Sequence, residues 1–346
     1  MENNMKKTAL LIMIIISMLS TSCNNKVYQQ YSSEGFVLGT FVTITIYSEK
    51  EVEEEKFKIL FDKLSNIEKS MTINQEVNSE VEQINIMAGK GAVVVSDETF
   101  YLIQKGIEYT KLTNNRFDIS VGALVKLWNI GFENAKVPNA ERIESTLSLI
   151  GIEDITLNEQ DKSIKLEREG MMIDLGGIAK GYAADVMSAL ISEMGYEFAL
   201  INLGGNILCH GSKPDGQNFK IGVRDPYKSS EDYLGVIAQS NRSIVTSGIY
   251  ERNFIQDGIL YHHILDTTSG YPVENNVASV TIVTENSAYA DALSTGVFLM
   301  GIEEGLKFVE DLHNVEAIFI STDKKIYLTT GVKDAFSYSG EGYEIK

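Results

Sequence analysis

Met171-Met-Ile-Asp174-Leu-Gly176-Gly177-Ile-Ala-Lys180-Gly181-Tyr-Ala-Ala-Asp185 is the most informative stretch of this 346-residue chain. Apolar residues run up to Asp174 and two glycines break the run. Apolar side chains then recur at Ile178, Tyr182, Val186, Leu190 and Met194, four residues apart. This spacing predicts a short strand ending at Asp174 and a helix opened by the glycines and running to about Met194. Those five residues form its core face, and Gly195 is the C-cap. Glycines at a strand-to-helix junction let backbone approach a ligand closely, and the free N–H groups of a new helix favour an anion. Lys180, one turn in, adds positive charge. The glycines fit neither G-x-G-x-x-G nor the Walker A pattern, which disfavours a nicotinamide dehydrogenase. From this segment alone, a tight turn packed in the core reads as well as an anion site.

Working outward, Phe36–Tyr47 alternates apolar and β-branched residues and predicts an opening strand. Glu51–Ser70 is helical by the spacing of Phe57, Leu60, Phe61, Leu64 and Ile67, and Ser96-Asp97 caps a helix through Leu112. Ile119–Trp128 and Glu141–Leu149 are shorter helical stretches. Strands are expected at Asp154–Leu157, Ser163–Leu166, Phe198–Asn202, Phe219–Val223, Leu234–Gln239, Val277–Thr284 and Ala317–Ser321. Hairpin-like strands with separate helices favour an α+β fold of mixed, largely antiparallel sheets over a doubly wound one. No repeat or linker divides the region 34–346, which reads as a single domain.

Three more segments carry chemistry. Asn202-Leu203-Gly204-Gly205-Asn206 is a strand entering a turn, with hairpin and ligand-contact readings equally open. In Ser287-Ala-Tyr-Ala-Asp291-Ala-Leu-Ser294-Thr295-Gly296, a helix puts Asp291 and Thr295 one turn apart on one face. A charged and a neutral oxygen so placed suit a hard cation such as Mg²⁺, although a helix-face acid is the alternative. Tyr261-His262-His263-Ile264-Leu265-Asp266 holds two of the chain's four histidines. On a strand they point to opposite faces, so one at most faces a site, where imidazole is the natural base for a hydroxyl near neutral pH. No Cys cluster supports zinc. Ser243, Thr246 and Ser247 lie upstream as candidate hydroxyl donors to a phosphate.

The N-terminal residues are an address. Lys6 and Lys7, the apolar run Ala9–Leu19 and the small residues before Cys23 read as a bacterial lipoprotein signal over residues 1–22, with Cys23 lipidated. Residues 23–33 are polar and read as a tether, which places the protein outside the cytoplasm on a bacterial membrane. Cys209 then has no disulfide partner. A formal charge of −18 argues against nucleic acid and anionic headgroups as partners. It also means that an anionic ligand needs a local cation.

Taken in order, these segments resemble the ApbE family, the FAD:protein FMN transferases, over nearly the whole mature chain. The matching residues are Leu38-Gly39-Thr40, Phe117-Asp118-Ile119-Ser120-Val121-Gly122 with Leu127-Trp128, Asp174 through Asp185, and Asn202 through Asn206. They continue with Thr246-Ser247-Gly248, His263-Ile264-Leu265-Asp266 with Gly270 and Pro272, and Ala290-Asp291-Ala292 with Thr295-Gly296. The resemblance implies FAD contacts at Leu38, Arg116, Phe117, Asp118, Asp174, Lys180 and Leu265. It implies Mg²⁺ held by the Gly177 carbonyl, Asp291 and Thr295, and His263 as the group that helps deprotonate an acceptor hydroxyl. Acceptors would be electron-transfer proteins with a threonine flavinylation motif. Many relatives place a tyrosine where this chain has Asn74. That departure removes a stacking surface for the flavin and brings FAD hydrolysis to FMN and AMP into view.

Overall fold

Eight residues in a row, Val277–Thr284, are buried, as a strand can be only when both faces are covered. The computed structural model describes residues 26–74, 78–229 and 231–346, and the expected signal peptide and Cys23 lie outside them. Numbered along the chain, the main sheet runs edge to edge through β1 (Gln29–Val37), β2 (Thr40–Ser48), β6 (Phe198–Leu203), β7 (Asn206–His210), β10 (Ser243–Gly248), β13 (Val277–Thr284), β14 (Glu316–Ser321), β15 (Lys325–Leu328) and β17 (Glu344–Ile345). Only the last pair is parallel.

One face of β13 sends Val280 and Ile282 against Leu293, Val297 and Phe298 of α7 (Ser287–Glu310). The other face joins a second sheet, β8 (Phe219–Arg224), β9 (Tyr233–Gln239) and β16 (Phe336–Tyr338), through Val283, Ile318, Ile320, Phe219 and Ile237. Helices α1 (Glu54–Met71), α3 (Asp97–Leu112) and α6 (Ala179–Glu193) cover the β1–β2–β6 end. Short helices α2 (Glu80–Ile86), α4 (Gly122–Trp128) and α5 (Ala140–Leu147), the small sheet of β3 (Val93–Val94), β4 (Ile155–Asn158) and β5 (Ser163–Leu166), and the hairpin β11 (Asn253–Gln256)–β12 (Ile259–His262) complete it. The architecture is α+β with largely antiparallel sheets, as expected.

Four expectations need correction. The opening strand is a hairpin, because Leu38 (φ 57°) and Gly39 (φ 67°) take left-handed backbone and reverse the chain. Residues 29–33 are not tether: they pair with Ile44–Ser48 in β1 and β2. The segment before Asp174 is no regular strand. It is an extended run that touches Val121 at Met172 and is clasped by the buried Asn85 amide, which donates to Ile173 O at 3.0 Å and accepts from Ile173 N at 2.8 Å. Finally, α6 starts after the glycines, and its fully buried face is Gly181, Ala183, Ala184, Met187 and Ile191. Tyr182, Val186, Leu190 and Met194 flank the core half-buried. The small residues face inward because α7 comes so close: a Cβ on Gly181 would lie 2.2 Å from Ser287 O.

Candidate functional site

That close approach lets α6 and α7 cap one another. Asp185 on α6 accepts from the Ser287 and Ala288 N–H groups at the start of α7, both at 2.9 Å. Asp291 on α7 accepts from Gly181 N in the first turn of α6 at 2.9 Å. Each carboxylate lies against unpaired N–H groups and the positive end of a helix dipole. Burial pushes Asp185 up to about 6 even so, its two backbone hydrogen bonds opposing the shift and Asp291 adding to it. Asp291 is 4 % exposed, and its second oxygen lies 3.6 Å from Lys180 Nζ.

Thr295 follows one turn along α7. It approaches Gly177, where a Cβ would sit 3.8 Å from Thr295 Oγ1 and 2.9 Å from the Phe117 ring. Gly177, Asp291 and Thr295 are therefore brought to one place, at the mouth of α6. The donors on offer would be a buried carboxylate whose second oxygen faces Lys180, a hydroxyl and a backbone carbonyl, all hard oxygens of the kind that suits Mg²⁺. Among the described residues, no cluster of three or more His, Cys, Asp or Glu is arranged to hold a metal, so any cation here relies on such a mixed set.

Asp174 opens the loop that leads to this point. Its Oδ1 accepts from Gly176 N at 2.8 Å, and its N–H donates to Ile119 O at 2.8 Å. Burial raises its pKa against that hydrogen bond and against Arg252, Lys126 and Lys180. Phe117 is buried against Gly177 and Gly296. Asp118 is turned inward onto Ser120 N and Oγ at 2.7 and 2.6 Å, its pKa raised by burial, so its side chain is already engaged. Arg116 pairs with Glu304 at 3.4 Å. Both line a cleft of about 360 Å³ with Asn114, Asn115, Asp266, Thr267, Thr268 and Leu299.

The adjacent histidines part as a strand requires. His262 is buried in the core, its Nε2 3.2 Å from Val273 O and its ring edge-on to Phe298. His263, just past β12, is half-buried, its Nδ1 3.3 Å from Arg252 O. Burial pushes it down to about 3, helped by Arg252, His262 and Lys180. Leu265 is buried beside Trp128, whose Nε1 donates to Gly270 O at 2.8 Å. Asn74 stands exposed on the rim and accepts from Lys126 Nζ at 3.0 Å.

Of the two open readings for Asn202–Asn206, the structure shows the hairpin: it is the β6–β7 turn, with Gly204 packed on Thr40. One other segment does not act as drawn from sequence. The hydroxyls of Ser243, Thr246 and Ser247 are already engaged with Ser287, Thr281 and Ser294, each at 2.8 Å, stitching β10 to α7 and β13.

Sequence reasoning passed over Lys126, Glu251 and Arg252. Glu251 reaches water on one side, yet crowding lifts its carboxyl to about 7 against the pull of Lys180, with Asp291 adding to the rise. A local signal for Arg252 existed in Asp257-Gly258, a dipeptide suited to a two-residue hairpin turn. Counting outward from that turn pairs Asn253 with His262 and sets Arg252 beside His263.

Hard oxygens at a helix mouth, basic side chains beside it and a half-buried histidine make a candidate site whose chemistry suits an anionic ligand. Comparison with known proteins gives that class its family. The ApbE family model matches residues 38–319. A FAD:protein FMN transferase of Klebsiella pneumoniae is 35 % identical over 91 % of this chain and 96 % of its own length. The enzyme of that name from Treponema pallidum is 32 % identical over 90 % and 91 %. Among solved structures, the ApbE protein of Thermotoga maritima superposes with a TM-score of 0.82 at 33 % identity, covering 89 % of this chain and 99 % of that one. Flavin transferase ApbE from Vibrio cholerae gives 0.79 at 27 %, covering 89 % and 100 %. The chain belongs to the ApbE family.

Proposed function

We propose that the protein transfers FMN from FAD to a threonine or serine hydroxyl of other proteins, releasing AMP. The observation that carries this reading is the convergence of Gly177, Asp291 and Thr295 at the mouth of α6, in a chain whose relatives bear the name of that activity. Mg²⁺ held there would neutralise charge on the pyrophosphate and on the departing AMP. Leu38, Arg116, Phe117, Asp118, Asp174, Lys180 and Leu265 surround the substrate, several through backbone. The acceptor oxygen forms a bond to the FMN phosphorus as the bond to the AMP oxygen breaks, and the hydroxyl proton passes to His263. Burial, and after it the charges of Arg252 and Lys180, weaken that imidazole as a base. An anionic pyrophosphate beside it would offset those charges and raise its proton affinity.

A second reading, FAD hydrolysis to FMN and AMP, draws support from Asn74. This amide stands where a ring would shield the flavin, and it admits water to the same phosphorus. Cys23 lipidation would tether the enzyme outside the cytoplasmic membrane, near electron-transfer acceptors. Among the described residues, no helix is long and apolar enough to cross a membrane.

The deciding experiment incubates protein lacking residues 1–23 with FAD and Mg²⁺, with and without an acceptor that carries the threonine motif. An FMN-sized mass gain on the acceptor, absent with Asp291→Ala, supports transfer at a cation held by Asp291. Undiminished labelling by that variant sinks the cation assignment. AMP release with no labelling moves the function to hydrolysis.

A further inference from the structure

Among the described residues the five most exposed large apolar side chains are Phe41, Val27, Ile255, Phe36 and Val94, and three of these five fall on two neighbouring hairpins. Phe41 is 78 % exposed, Ile255 69 % and Phe36 68 %. All three sit on the two hairpins that flank Arg252. Phe36 and Phe41 are cross-strand partners beside the Leu38-Gly39 turn, in edge-to-face contact at 5.3 Å. A Cβ on Gly39 would come within 3.7 Å of the Arg252 guanidinium. Arg252 leads straight into β11, where Ile255 pairs with Leu260, itself 42 % exposed. Strand β12 then delivers His263. The pair Phe254–Tyr261 faces the other way, the two rings stacked on each other and Tyr261 tilted against Trp128. Ile255 and Leu260 are thus left exposed on the opposite face, toward the tip of the two-stranded sheet.

Exposed aromatic pairs of this kind mark interaction surfaces when they cluster. Here both hairpins adjoin Arg252, whose carbonyl accepts from the N–H of His263 at 3.1 Å, the group that would meet the acceptor hydroxyl. We propose that Phe36–Phe41 and Ile255–Leu260 form the docking lip for the acceptor protein, gripping apolar side chains on either side of the segment that carries the hydroxyl. The proposal rests on the transferase reading above. The occupant is a protein and not the flavin, because these side chains are exposed on hairpin faces opposite Val37 and Val42 in one and Phe254 and Tyr261 in the other. Apolar contact also suits an enzyme of formal charge −18, since it does not depend on the sign of its partner's charge. The backbone edges of β11–β12 pair with no further strand among the described residues, so an extended acceptor segment finds hydrogen-bonding groups there as well.

The test compares wild type with Phe36→Ser/Phe41→Ser and with Ile255→Ser/Leu260→Ser. Readouts are FMN transfer to an intact acceptor protein, transfer to a short peptide bearing only the threonine motif, and AMP release without acceptor. Loss of an apolar anchor should raise KM for the intact acceptor about tenfold. KM for FAD and acceptor-free AMP release stay unchanged, and the short peptide is affected less. An unchanged acceptor KM overturns the lip. A matching rise in KM for FAD also overturns it, by assigning these side chains to the flavin. Wild type that labels no acceptor at all, while still releasing AMP, fails the transferase reading instead.

Discussion

His263 shows how far one side chain departs from its ordinary behaviour. Its ordinary pKa of 6.5 falls to about 3 because burial and neighbouring positive charge oppose the imidazolium. Between those values the unfolded chain binds a proton that the folded chain does not. Stability is therefore complete above pH 6.5 and is lost as pH falls through the window. Asp185 and Glu251, raised to about 6 and about 7, work the other way and lose stability as pH rises toward those values. They are common to wild type and a His263 variant, so a comparison isolates the histidine. The urea midpoint of ligand-free His263→Gln should fall less steeply than wild type between pH 6.5 and about pH 4; parallel acid limbs would contradict the neutral imidazole. Leu38 makes a similar point about backbone. Its left-handed φ costs roughly 1–2 kcal/mol for a side-chain-bearing residue, and it stands at the turn that borders the site.

At the scale of elements, the reciprocal caps between α6 and α7 carry both fold and site. Gly181→Ala places a methyl 2.2 Å from a backbone carbonyl oxygen that cannot rotate away, so the helices must separate. The expected cost is on the order of 1–3 kcal/mol in a urea melt. Asp291 is drawn from the mouth of α6 in the same movement, so Mg²⁺-dependent activity should fall even where the variant is still fully folded. Activity equal to wild type in such a variant would show that Gly181 is not needed to position Asp291. Asp185→Ala leaves the Ser287 and Ala288 N–H groups without their acceptor and should cost about 1–2 kcal/mol, as loss of a helix cap does.

For the whole molecule, the order of strands decides where the domain begins. β1 is an edge of the nine-stranded sheet, held by β2 alone. Removing residues 1–25 leaves it intact, whereas removal through Ser33 takes five of its nine residues, Gln29–Ser33. The longer cut should lower Tm by several degrees, at roughly 2–4 °C per kcal/mol for a large domain. The shorter cut should leave Tm where it was. Equal Tm values would put the start of the fold at 34, as the polarity of the segment had suggested.

Much of this was legible along the chain because it depends on neighbours in sequence. Periodicity located α1, α3, α6, β13 and the α+β class, and residue type marked Asp291, Thr295, the His262–His263 pair and the glycines before α6 as chemistry-bearing, with His263 singled out of the pair only by the family resemblance. The Phe36–Tyr47 alternation ran straight through Leu38, since nothing local favours a left-handed leucine; the turn exists because the sheet and core hold it. The inward face of α6 was misplaced for a related reason. Spacing marks the largest apolar residues, whereas a neighbouring helix at contact distance selects the smallest. Lys126 and Glu251, far apart in sequence, meet at the site only through packing. Sequence by itself determined the elements and the reactive groups, through local periodicity and side-chain chemistry. Only the tertiary structure decided which groups face one another, because burial, hydrogen bonding and charge act across distances in space that the order of residues does not encode.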